Sequence, residues 1–103
     1  MTVSVIVGAI MGKLIVLLGH VCSGHGPCPP RPNIEASPNF WVKGLGVHRQ
    51  GDNWSTHCLH GGVLAKGTAN FLANGKPVAK VGDPISCGSV CAQGEPTVII
   101  FSP

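Results

Sequence analysis

The chain has 103 residues, a net charge of +3 and 11% charged residues, against about 25% in an ordinary soluble domain. That length allows one domain with a modest core. The few Lys and Arg form no basic stripe and no aromatics interleave with them, which excludes an electrostatic footprint for nucleic acid. Glycine (15) and proline (9) exclude a helical bundle and point to short strands joined by tight turns.

The first stretch, MTVSVIVGAIMGKLIVLLG, is apolar and rich in β-branched residues (Val3, Val5, Ile6, Val7, Ile10, Ile15, Val16). It reads as buried strand. A membrane anchor or signal peptide is the alternative, disfavoured because no basic segment precedes the apolar run and Lys13 and two glycines interrupt it.

Further along, the chain repeats itself. NFWVKGLGVHRQGD (Asn39 to Asp52) and NFLANGKPVAKVGD (Asn70 to Asp83) begin Asn-Phe, share a central glycine and end Gly-Asp. GKLIVLLGH (Gly12 to His20) aligns with GKPVAKVGD (Gly75 to Asp83), and GEPTVII (Gly94 to Ile100) aligns with GTANFLA (Gly67 to Ala73). The chain therefore starts inside one repeat and ends inside another, as a closed threefold object requires. Each unit reads as a hairpin with a Gly turn, KGLG or NGKP. A variable loop follows each: VCSGHGPCPPRPN, NWSTHCLHGG and PISCGS. Threefold symmetry would bring the three loops together at one end.

These loops or their edges carry Cys22, Cys28, Cys58, Cys87 and Cys91, and every histidine except His48. An odd cysteine count fits a closed disulfide framework poorly, so mixed Cys and His favour a metal. Counted from the Gly-Asp position, His25, His57 and Cys87 occupy matching places, and counted back from the next repeat His60 matches Cys87. Three imidazoles and one thiolate make a closed tetrahedral set for zinc, with no open position for water, so the ion would be structural. Iron is the second choice for such N/S ligation. His20 and Cys58 stay open as substitutes within the set. Cys22 and Cys28 read as packed residues, with a second site or a disulfide as alternatives. His48 lies on a strand, aligned with Ala79.

Over Gly12 to Ile100 the sequence resembles the PAAR-repeat proteins of type VI secretion systems and contractile phage tails. SGHGPCPPRPNI, SPNFWVKGLGVHRQGDNWSTHC, HGGVLAKGTANFLANGKPVAKVGDPISCGSV and GEPTVII carry the resemblance. Pro77, Val78, Ala79 and Lys80 stand at the Pro-Ala-Ala-Arg motif. The departures are an unusually apolar first strand and His20 where Asp is usual; residues 1–11 fall outside the match.

The resemblance implies an all-β, conical, pseudo-threefold fold of short hairpins over residues 1–103. It implies a metal at the vertex held by His25, His57, His60 and Cys87. It implies a base seated, one chain per trimer, on a trimeric spike of valine-glycine-repeat type or its phage tail-spike equivalent. Phe40, Val42, Phe71, Val98 and Ile100 are the candidate base residues. The implied role is mechanical: the sharp tip of a cell-puncturing spike, made in the cytoplasm, delivered with the spike or virion tail, and meeting the target membrane transiently. A separate effector is a further partner. The chain ends at Pro103 directly after the last expected strand, so no fused toxin domain is expected. A zinc hydrolase or deaminase needs an open metal position and a carboxylate base, and Glu35 and Glu95 lie outside the ligand loops, so no enzyme is expected. A zinc-ribbon-like nucleic-acid module would want basic residues near the metal, where only Arg31 is close.

Overall fold

The structure, a computed structural model, describes residues 12–58 and 60–101, with the side chains of His57, His60 and Phe101 outside the described set. The strand reading of residues 1–11 falls outside it. The described residues contain eight strands and no helix: β1 (Gly12–Ile15), β2 (Trp41–Val42), β3 (Leu45–Gly46), β4 (Asn53–His57), β5 (His60–Val63), β6 (Thr68–Ala73), β7 (Lys76–Val78) and β8 (Glu95–Phe101). They pair antiparallel as β1–β8, β2–β3, β4–β5 and β6–β7.

Two of the expected hairpins form as the repeat demands. β2–β3 turns at Lys43-Gly44 (φ 51 and 81) and β6–β7 at Asn74-Gly75 (φ 56 and 77). Positive φ at both central residues matches the right-handed twist of the flanking strands. The third hairpin is assembled from the two ends of the chain. β8 pairs with β1 in the register of β6 with β7: Lys13 opposes Ile100 as Lys76 opposes Ala73, and Ile15 opposes Glu95 as Val78 opposes Thr68. The split repeat thus closes the object.

What makes it a threefold ring is the backbone. The Val16 N–H donates to the Ala79 carbonyl (3.1 Å), Ala79 to His48 (2.9 Å) and His48 back to Val16 (3.0 Å). These are the three aligned positions of the repeat. Two residues on, the N–H groups of Leu18, Gln50 and Val81 donate to the carbonyls of Gly46, Pro77 and Leu14, at 2.8, 2.8 and 2.9 Å. Each repeat donates to both of its neighbours, so no repeat satisfies its buried backbone alone.

The Gly-Asp element of each repeat is a tight turn. Gly19, Gly51 and Gly82 adopt φ 89, 89 and 97, a region that L side chains avoid. The following side chain accepts from the backbone three residues back: Asp52 Oδ2 from Arg49 N–H (2.9 Å), Asp83 Oδ2 from Lys80 N–H (2.9 Å) and His20 Nδ1 from Leu17 N–H (3.0 Å). His20 therefore does the work of the missing Asp. To accept it must be neutral at Nδ1, and burial lowers its pKa, against a weaker raising effect of Glu95.

Two core clusters lie along the ring. One gathers Ile15, Leu17, Val47, Ala73, Val78 and Ile100 among the hairpins; the other gathers Val16, Cys22, Trp54, Leu64, Ala79, Ile85 and Cys91 toward the loops. His48 is fully buried against the second cluster, its Nδ1 2.7 Å from the Glu35 carbonyl and its ring edge-on to Trp54 at 5.0 Å. A carbonyl only accepts, so Nδ1–H donates, and burial lowers the ring's pKa more than the carbonyl and Asp52 raise it.

Candidate metal centre and apolar base

The variable loops hang from the ring by a second set of threefold contacts. The N–H groups of Ser23, Ser55 and Ser86 donate to the carbonyls of Val90, Pro32 and Val63, at 2.9, 3.0 and 2.9 Å. Each loop thus leans on its neighbour, and the residues just beyond these serines carry the expected ligands of the three loops. Those residues include His25, His57 and Cys87.

In loop one, His25 and Cys28 form a two-residue turn, exchanging backbone bonds of 3.1 and 2.9 Å across Gly26 and Pro27. In loop two, His57 and His60 are register partners at the tip of the β4–β5 hairpin. Cys58, with φ 48, leads out of β4 there. In loop three, Cys87 packs along β5. A Cβ added to Gly62 would lie 3.3 Å from Cys87 Cβ, and the Ser86 Oγ accepts from Val63 N–H at 3.0 Å.

A disulfide joins the first two loops, Cys28 to Cys58, with Cα atoms 5.6 Å apart. This corrects the expectation that the cysteines form no disulfide, and the packed reading of Cys28. It also removes Cys58 as a substitute ligand. The expectation failed because the odd count was read across all five cysteines together. His20 is no substitute through Nδ1, which is engaged with Leu17 N–H.

The donor chemistry of His25, His57, His60 and Cys87 fits a zinc ion: three imidazoles and a thiol, on loops joined by backbone hydrogen bonds. Among the described side chains, no three His, Cys, Asp or Glu form a metal-holding group. His57 and His60, half of the expected set, have side chains outside the description.

At the hairpin end, the candidate base residues fall together. Ile100 is buried in the hairpin-side core, and Val42, Phe71 and Val98 pack against it. Phe40 and Phe71 lie with ring centroids 6.0 Å apart. Ile100 is core first, with little side-chain surface to offer a partner. Sequence reasoning missed a better-exposed set. Trp41, Leu72 and Ile99 are 64%, 52% and 48% exposed, and they occupy one aligned position of the three hairpins. The signal was available: each sits one residue beyond an aligned Phe40, Phe71 or Val98, on the opposite face of its strand.

Among curated proteins, no relative matches the chain. A family model described as PAAR motif matches residues 23–93, from the first variable loop to the last, and with the all-β ring of hairpins already in view, the chain belongs to the PAAR-motif family.

Proposed function

We propose that this chain is the sharp tip of a cell-puncturing spike in a type VI secretion or contractile phage-tail machine. Its hairpin end caps a trimeric spike, and its loop end leads into the target envelope. The observation that supports this best is the symmetry. A single chain that presents three equivalent faces can meet three identical subunits, which three unrelated surfaces cannot. Trp41, Leu72 and Ile99 supply the same apolar contact three times, with Phe40, Val42, Phe71 and Val98 behind them. The blunt end of a trimeric spike exposes open strand edges, and covering them removes an edge liability.

The loop end is held by a structural zinc on His25, His57, His60 and Cys87. When bound, the ion locks three loops that bury little apolar surface of their own; in small peptides such binding contributes roughly 10–16 kcal/mol. The role is mechanical rather than enzymatic. The protein is made in the cytoplasm and leaves with the spike, and a separate effector can travel with it.

Native mass spectrometry with the trimeric spike protein of the same machine tests the docking. One chain per three spike subunits is expected. Trp41→Ser/Leu72→Ser/Ile99→Ser should weaken binding at least tenfold. Three chains per trimer, or no complex with the wild-type chain, would defeat the proposal.

A further inference from the structure

Below the loop tips, one more threefold contact repeats. Leu64 opposes Ile85, Asn33 opposes Trp54, and Cys22 opposes Cys91 in isolated antiparallel bridges at aligned positions. The first pair is apolar and the second mixed. At the third, two buried cysteines, both thiols in the structure and with Cys22 Sγ accepting from Arg31 N–H at 3.3 Å, face each other across the loop-side core. The backbone shows which kind of bridge this is. Ser23 N–H donates to Val90 and Ala92 N–H to Val21, the residues flanking Cys22 and Cys91, while Cys22 N–H donates to Arg31 and Cys91 N–H to Asp83. Cys22 and Cys91 are thus a non-hydrogen-bonded pair, whose side chains point the same way with Cα atoms about 4.5 Å apart. Disulfides span Cα separations of about 4.4–6.8 Å.

The pair also occupies a particular seam. Asn33 and Trp54, like Leu64 and Ile85, are 21 positions apart in the sequence, whereas Cys22 and Cys91 are 69 apart. The first two seams join neighbouring repeats already linked by a short stretch of chain. The third joins the start of the repeat region to its end. A covalent link constrains the unfolded chain most where the loop it closes is longest.

We propose that Cys22 and Cys91 form a second disulfide, which closes the ring covalently at the seam where its two ends meet. The step is thiol–disulfide exchange. A disulfide oxidant such as oxidised glutathione takes two electrons and two protons from the pair, giving one new S–S bond and two molecules of reduced glutathione. Burial, with Asp83 and Cys22 close by, pushes the Cys91 thiol up to about 12. The attacking thiolate is therefore scarce in the closed protein, and the bond forms during folding or when the seam opens. With Cys28–Cys58 closed as well, Cys87 would be the one cysteine outside a disulfide. The inference goes beyond the spike-tip reading and stands whether or not the vertex holds a metal.

The test is oxidative refolding of the full chain with a glutathione redox buffer. Alkylation under denaturing conditions and fragment mass spectrometry then follow. A cross-link between Cys22 and Cys91, with neither residue alkylated, is expected. Alkylation of both Cys22 and Cys91 after oxidation would overturn the proposal. A second measurement uses Cys28→Ser/Cys58→Ser. If this variant folds, the same oxidation should raise its Tm by at least about 5 °C, and an unchanged Tm would count against the bond. If it does not fold, the wild-type cross-link decides.

Discussion

The ring and the loop end are built by opposite means. In the ring, backbone hydrogen bonds repeat three times over side chains that differ: Val16, His48 and Ala79 form one cycle although no two are alike. At the loop end the backbone contacts also repeat, but loop lengths and side chains diverge, and a side-chain bond, Cys28–Cys58, joins two loops. The difference teaches that symmetry here belongs to the main chain. Side chains are free to specialise once the main chain has closed the ring, and at the loop end a covalent link is added.

The sharpest way to break the ring is to strike one turn whose side chains are not interchangeable. Asp52 accepts from the Arg49 backbone and from two guanidinium nitrogens at 2.8 and 2.9 Å, all buried. Asp52→Ala leaves Arg49 charged and buried, and should cost about 3–5 kcal/mol, read from the urea midpoint. The aligned Asp83→Ala should cost less, since Lys80 keeps a path to water. Equal losses at the two sites would mean that the backbone cap alone matters.

The loop end should answer to reduction. Cys28–Cys58 closes a 30-residue separation, so Cys28→Ser should lose about 3–4 kcal/mol. Under a reductant the wild type should fall by that much more than the variant does.

Acid should separate the repeats next. His20 and His48 have folded pKa values below their ordinary 6.5. The unfolded chain therefore binds protons more readily, so these groups stabilise the fold fully above pH 6.5 and lose that contribution as pH falls toward the lowered values. The urea midpoint should drop between pH 7.5 and 5.5. His20→Asp, which installs the residue of the other two turns, should flatten that drop. An unchanged pH profile would deny His20 its role as a neutral acceptor.

The smallest effect compares the two intact hairpin turns. Lys43 takes φ 51 where Asn74 takes φ 56, and Asn tolerates that region better. Lys43→Asn should gain about 0.5 kcal/mol in the same urea assay, and a loss would show that the Lys43–Glu95 pair at 3.5 Å matters more.

Much of this was legible in the residues. The Gly-Asp spacing and the aligned Asn-Phe segments carry the hairpins and the closure of β8 onto β1, because turn chemistry is local and threefold closure leaves little choice of partner. What escaped was pairing specific to a side chain. Nothing local marks Cys28 as the partner of Cys58, since the two lie 30 residues apart and their loops meet only once the repeats have closed into the ring. The exposed Trp41, Leu72 and Ile99 were passed over because apolar strand residues were assigned to the base without asking which face each one takes.

The most direct measurement is metal content per chain by mass spectrometry, for the wild type, His57→Ala and Cys87→Ala. One zinc in the wild type and almost none in either variant is expected if the three loops converge on a single ion. No metal in the wild type, or a full complement in both variants, would contradict the convergence at the tip.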